Sequence, residues 1–254
     1  LLKYISYFAV GVFIGILAAL FGLGGGFLIV PTLNLLGVEI HHAVGTSLAA
    51  IPFTSLSAVI VYFRQKRIHY KSGISLAFPS ILGAYIGAWL TSYLSPNILK
   101  VFFGMALFFV SIKMFRGKSI EAHQIALEEL KPNYVLLSIW GFIVGILSGL
   151  LGFGGGAINV PFLVYLGFPI HYAVATSIFA IFFTGISGAI KHYALGNIEI
   201  QWLLVLVPGL IIGAQIGART AKRIKAHNLK RSFAVVLAFL AIRMILKGLG
   251  FSIP

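Results

Sequence analysis

The chain has 254 residues, 59% of them hydrophobic and only 9% charged, with a mean hydropathy of +1.03 and a net charge of +14. Soluble domains carry roughly a quarter charged residues, so this composition speaks against a soluble enzyme, a nucleic-acid-binding domain and a disordered chain, and for a polytopic membrane protein. There is no cysteine and no aspartate, which removes disulfides, thiolate metal sites and cysteine nucleophiles; the five acids are Glu39, Glu121, Glu128, Glu129 and Glu199.

In chain order, apolar runs cover 4–21, 27–37, 41–63, 72–93 and 97–115, then 134–151, 155–167, 170–193, 201–220 and 229–249. Most can cross about 30 Å of hydrocarbon as helices. The runs 27–37 and 155–167 are short, follow a glycine cluster and carry Pro31 and Pro161, so they read as broken or re-entrant segments. The one long polar stretch is 116–133. These elements predict an all-α polytopic membrane protein of eight to ten membrane segments: a first repeat at 1–115, a cytoplasmic linker at 116–133 and a second repeat at 134–254. No cleavable signal peptide is evident.

The division into repeats rests on a self-match at an offset of 130 residues. Gly15–Leu33, GILAALFGLGGGFLIVPTL, matches Gly145–Leu163, GILSGLLGFGGGAINVPFL. Ile40-His41 matches Ile170-His171, Thr46-Ser47 matches Thr176-Ser177, Thr54 matches Thr184 and Ser57 matches Ser187. The loop charges break the match. The first repeat has Arg64, Lys66, Arg67 and Lys71 between its third and fourth runs; the second has Arg219, Lys222, Arg223, Lys225, Lys230 and Arg231 between its fourth and fifth. If basic loops are cytoplasmic, equivalent loops lie on opposite sides. The repeats are then inverted, with both termini outside. Each glycine-linked pair of runs forms either a hairpin that dips in and returns or two crossings; the short second runs favour the hairpin.

Gly24, Gly25 and Gly26, with Gly154, Gly155 and Gly156, are the first candidate site residues. Consecutive glycines cost about 1 kcal/mol each in a helix, and a turn at membrane depth is tolerable only around a cavity or inside protein. Exposed N–H groups ahead of a helix N-terminus suit an anion, while a tightly packed turn is the plainer reading. The pattern is no dinucleotide fingerprint: Phe27 stands where the third glycine belongs, and no strand precedes it. Thr46, Ser47, Thr54, Ser57, Thr176, Ser177, Thr184 and Ser187 are candidates for a hydroxyl-lined wall that donates to an oxyanion, against the plainer fate of bonding a carbonyl in the same or a neighbouring helix. His41 and His171 open their helices and are candidates for proton coupling, or simply interfacial histidines. Gly83-x-x-x-Gly87 and Gly213-x-x-x-Gly217 read as close helix packing.

The doubled glycine motif, the Val30-Pro31 and Val160-Pro161 pairs that follow it, the two Thr-Ser pairs and the overall length resemble the TauE/SafE family, also called the TSUP or sulfite exporter family. The resemblance covers essentially the whole chain. It implies a bacterial, archaeal or plant membrane transporter moving sulfite, sulfoacetate or another sulfur-containing anion. The resulting expectation is a secondary transporter or facilitator that exports or exchanges a small oxyanion, sulfite or an organosulfur anion, by alternating access around two glycine-rich midplane turns. It is a multi-pass protein of the cell (inner or plasma) membrane. It is not an enzyme, needs no cofactor or metal, and binds no nucleic acid; its partners are the small anion and the lipid bilayer, and a homodimer is compatible with it. The alternatives are an anion channel and a membrane-embedded enzyme acting on a phosphorylated lipid. The second of these would need a general acid or nucleophile in the core with a basic partner, and the missing aspartate and the span-end placement of the glutamates argue against it.

Overall fold

In the computed structural model, residues 2–116, 130, 132–221 and 226–251 are described. Among them the chain forms ten α-helices and no strand, as the composition requires: α1 Leu2–Phe21, α2 Gly26–Leu35, α3 Ile40–Arg64, α4 Tyr70–Leu90, α5 Pro96–Arg116, α6 Tyr134–Leu151, α7 Gly156–Tyr165, α8 Ile170–Ala194, α9 Ile200–Thr220 and α10 Ala226–Gly248. A 3-10 turn, Thr91–Tyr93, follows α4. Six of these helices are long and apolar enough to cross a membrane. The protein is an all-α polytopic membrane protein. Most of the linker predicted over 116–133, and the basic residues Lys222, Arg223 and Lys225, lie outside the described residues.

Local chemistry sets the helix ends. Glu39 caps α3 by accepting the His41 N–H at 3.0 Å, and Asn133 caps α6 by accepting the Leu136 N–H at 3.1 Å. His69 caps α4 by accepting the Ser72 N–H at 3.3 Å. Burial would raise the Glu39 pKa, but hydrogen bonds and charge from His41 outweigh it and hold the carboxyl below its ordinary value.

The helices pair across the two halves of the sequence. α1 packs on α9 and α6 on α4, while α3 meets α8 and α5 meets α10. Glycine permits the first two contacts. A side chain on Gly213 would overlap the Val12 carbonyl oxygen, and one on Gly87 would overlap that of Ile146. The two small-residue motifs are therefore packing surfaces on which backbones touch. Gly11 lies against Leu206 and Gly15 against Leu210, so α1 and α9 run parallel. Gly141 against Leu76 and Gly149 against Ala84 make α6 and α4 parallel too.

The equivalent helices α3 and α8 instead run antiparallel, with Gly45 beside Asn197, Leu48 beside Gly188 and Ile51 beside Gly185. α5 and α10 are likewise antiparallel, with Gly104 against Ala241 and Gly248 against Asn97. A rotation that exchanges α3 with α8 must therefore turn each helix end over end.

The hairpins have unequal arms. The Tyr62 hydroxyl donates to the Ala19 carbonyl at 2.9 Å, which ties the end of α1 to the far end of α3. The chain then doubles back: Gly24 lies against Ile51, halfway along α3, and α2 occupies only the stretch from there to the start of α3. Thus α1 runs most of the length of α3, and only the returning arm is short, at about 15 Å of helix.

The absence of native cysteine allows a clean test of orientation. Lys66 and Ala194 are exposed at equivalent ends of α3 and α8. An impermeant maleimide should label Lys66→Cys only in inside-out vesicles and Ala194→Cys only in intact cells. Labelling of both from one side would discard an inverted arrangement across the bilayer.

Candidate functional site

The returning arms meet at the crossing of α3 and α8. Gly25, at φ 94°, caps α2, and Gly155, at φ 87°, caps α7; both are left-handed conformations that cost any side-chain-bearing residue about 1–2 kcal/mol. Gly24 and Gly154 both lie against Ile51 and Ile181, the equivalent residues at the crossing. A side chain on Gly26 would overlap the Gly152 carbonyl oxygen, and one on Gly156 would overlap that of Gly22. Phe27 stacks on Phe153 at 4.6 Å and 23°, closing the contact on one side. All six candidate glycines are buried. The two turns therefore sit against each other at the centre of the molecule.

Each turn leaves backbone donors unspent. Leu28 and Ile29 donate to the Gly25 carbonyl at 3.0 Å, and Leu23 donates to Ala18 at 2.9 Å. Among the described residues, no hydrogen bond uses the N–H groups of Gly24, Gly25, Gly26 or Phe27. In the second copy, Ile158 and Asn159 donate to Gly155, and the N–H groups of Gly154, Gly155, Gly156 and Ala157 are likewise without a protein acceptor among the described residues. These are the first N–H groups of α2 and α7, where helices leave donors open and carry partial positive charge. Two such ends converge here.

The hydroxyls divide by what they have committed. Ser47 donates to the Gly152 carbonyl at 2.7 Å and so fixes the opposite turn. Ser57 donates to Ile211 at 2.8 Å and Ser187 to Ile81 at 2.6 Å, joining α3 to α9 and α8 to α4. Thr54 donates to its own helix, to Ala50 at 3.2 Å, and the Thr184 hydroxyl is shared between the Ala180 carbonyl at 3.1 Å and the Ser80 hydroxyl at 2.7 Å. A hydroxyl has one proton, so these five have none left for an anion in this conformation. Thr46 accepts the Glu199 N–H at 2.8 Å and Thr176 accepts the His69 N–H at 3.0 Å, clasping the starts of α9 and α4. Ser177 differs from them all. It is fully buried, and its Oγ has no partner, whereas its counterpart Ser47 is bonded.

The histidines lie away from the turns, at the entries of α3 and α8. His41 Nδ1 contacts Glu39 Oε1 at 2.9 Å, and Nε2 contacts the carbonyls of Thr91 and Leu94 at 3.1 and 3.0 Å, so it clips α3 to the end of α4. His171 has no such acid, because Pro169 occupies the position of Glu39. Two buried residues were invisible to the repeat comparison: Tyr62, bonded to Ala19, and His192, whose Nε2 contacts the Gly149 carbonyl at 3.1 Å. They hold equivalent positions and do equivalent work with different side chains, so a search for identities passes over them.

Two clefts open at opposite ends of the α3–α9 seam. One, of about 230 Å³, is lined by Arg64, Gln65, Gln215 and Arg219 with Ile60 and Val61. The other, of about 340 Å³, contains Glu39, His42 and Glu199; His42 Nδ1 lies 3.0 Å from Glu199 Oε1. The seam is thus basic at one mouth and acidic at the other. Among the described residues no cluster of three or more histidines or acids could hold a metal ion.

The family profile described as "Sulfite exporter TauE/SafE" matches residues 7–244. "Probable membrane transporter protein YunE" of Bacillus subtilis is 31% identical, over 98% of this chain and 99% of its own length. A "Probable membrane transporter protein" of Haemophilus influenzae is 30% identical, over 94% of this chain and 96% of its own. No solved structure matches.

The backbone contact between the turns makes a stability prediction. Gly26→Ala and Gly156→Ala should each lower stability by about 3 kcal/mol or more, the upper end of overpacking costs, because backbone and not a flexible side chain must move. Gly196→Ala, in open space at φ 74°, should cost only the conformational strain of about 1–2 kcal/mol. Thermal unfolding of the detergent-purified variants measures the difference; equal shifts for all three would remove the contact.

Proposed function

The chain belongs to the sulfite exporter TauE/SafE family, and from that premise we propose that it is a secondary transporter of a small oxyanion in the cell (inner or plasma) membrane. Membership makes it a membrane transporter of that family. The substrate class and mechanism proposed here are sulfite or an organosulfur anion carried by alternating access.

One observation carries the reading: two short helices begin at the same central point, each presenting unspent N–H groups. An anion there would accept from backbone donors of both repeats, and the Ser177 hydroxyl would add a third source. Backbone N–H groups are already oriented, so little reorganisation is needed when the ion leaves water. Several donors are required because dehydrating an oxyanion costs many kcal/mol.

Movement follows from the same arrangement. The antiparallel α3–α8 and α5–α10 contacts support repeats inverted across the bilayer, with the site on the pseudo-twofold axis. Rocking one repeat against the other would open the site alternately to the basic and the acidic mouths of the seam. The basic mouth would gather anions from the cytoplasm, which suits outward transport. His41 and His171 are proposed at most as accessory proton carriers, since His41 is already held by Glu39 and two carbonyls.

The test is flux of sulfite, thiosulfate, sulfate and an alkylsulfonate in proteoliposomes, with counterflow to separate a carrier from a channel. Ser177→Ala should lower kcat/KM for the transported anion about tenfold, the effect of losing one hydrogen bond to a charged group, while leaving thermal stability unchanged. Ser47→Ala should instead lower stability by about 1 kcal/mol or more, because it frees the buried Gly152 carbonyl. Normal flux in Ser177→Ala would take that hydroxyl out of the site, and absence of flux for every anion would end the oxyanion reading.

A further inference from the structure

The loop between α3 and α4 buries a charge that the fold does not need. Arg67 is only 6% exposed, and its Nη1 has no partner. No carboxylate among the described residues is within ion-pair distance of it: Glu39 and Glu199 sit at the opposite end of the α3–α9 seam, beside His41 and His42. A buried guanidinium without a counter-charge costs several kcal/mol, and planar Arg donors are strongly directional.

The second repeat provides the internal comparison. Its equivalent of Arg67 is Asn197, and the two loops close in the same way: Arg67 N–H donates to the Tyr62 carbonyl at 3.2 Å, and Asn197 N–H to that of His192 at 2.9 Å. The residues before them, Lys66 and Gly196, share the left-handed conformation, at φ 53° and 74°. Asn197 Nδ2 lies 3.3 Å from His192 Nδ1, a neutral side chain with its neighbour at hand. The same turn is therefore built once with an amide and once with a cation. Backbone geometry does not demand the cation.

Its surroundings suit an anion. The Tyr62 carbonyl accepts the Arg67 N–H, and His171 stands at the start of α8, which meets this loop where Thr176 accepts the His69 N–H at 3.0 Å. The Tyr62 proton is committed to Ala19, whereas neither ring nitrogen of His171 has a hydrogen-bond partner among the described residues, and His171 is exposed. The loop lies at the basic end of the molecule, with Arg64 and Lys66 beside it.

We propose that Arg67 binds an oxyanion at the α3–α4 end of the protein, its guanidinium engaging two oxygens of a sulfite, sulfonate or phosphate group, with His171 at the open side. As a substrate subsite this rests on the oxyanion-transport reading. As an anion site it does not, since a lipid phosphate has the same chemistry.

The experiment uses the full chain, Arg67→Asn to copy the second repeat, Arg67→Lys to keep charge without the fork, and His171→Ala. Thermal unfolding is followed with sulfite, sulfate and inorganic phosphate against chloride at matched ionic strength. It is repeated in phosphatidylcholine vesicles with and without phosphatidylglycerol, alongside sulfite flux. The expected result is an anion-dependent rise in Tm for the wild type that is lost in Arg67→Asn and reduced in Arg67→Lys and His171→Ala. The KM for sulfite should rise at least about tenfold in Arg67→Asn, as for loss of a charge-assisted contact.

A rise produced only by phosphatidylglycerol and lost in Arg67→Asn assigns the site to a lipid headgroup. An anion response lost in Arg67→Asn, in a wild type that moves no oxyanion, keeps the site and ends the transport reading. Equal anion response and equal KM in wild type and Arg67→Asn overturn the proposal and leave transport intact. Should Arg67→Asn not fold, Arg67→Lys and His171→Ala decide it, and wild-type behaviour in both overturns it. Glu121, Glu128 and Glu129 lie outside the described residues, and replacing all three by Gln should leave the response in place. A response that appears only in that triple variant makes Arg67 an internal ion-pair partner and overturns the site.

Discussion

Backbone N–H groups left without acceptors between membrane helices are costly, because hydrocarbon offers no substitute partner. Among the described residues such groups lie where α2 and α7 begin, and the surrounding contacts make that tolerable. The two turns press on each other so closely that only glycine fits at 26 and 156. Ser47 holds the Gly152 carbonyl from across the interface. Tyr62 and His192 secure the last turns of α1 and α6, from which the chain doubles back. The stretch is sealed from lipid by protein on every side, which is the condition under which irregular backbone survives at membrane depth.

Near-symmetry provides the frame, and departures from it provide the chemistry. Glycine-lined contacts pair α1 with α9 and α6 with α4, and hydroxyls at 57 and 187 staple equivalent helices to their neighbours. These features recur because both halves solve the same packing problem. Several of the differences between the halves fall on polar groups. Ser177 lacks the partner that Ser47 has, Pro169 stands in place of Glu39, and Arg67 stands in place of Asn197. The shared positions thus hold the helices together, and the unshared polar groups make the two ends chemically unequal.

Charge is distributed with the same economy. Both carboxylates among the described residues lie at one mouth of the α3–α9 seam, each with a histidine, while Arg64 and Arg219 face the other. An anion drawn to the basic mouth would be repelled at the acidic one.

Composition and the 130-residue self-match were enough to read an all-helical membrane protein, its helix boundaries and its close-packing glycines, because burial in lipid forces apolar runs into helices and small residues mark where backbones touch. The doubled motif was enough to point to a family. Which hydroxyls had already spent their proton could not be read from spacing, since the acceptors of Ser47, Ser57 and Ser187 are carbonyls more than a hundred positions away. The same holds for Tyr62 and His192, whose shared role lies in a common position and not in a common side chain. Whether Arg67 was solvated or buried was equally open, because a basic residue in a short loop is ordinarily a surface residue. Sequence fixes what each group is able to do; only tertiary structure decides which partner is within reach, and so which capacity is left unspent.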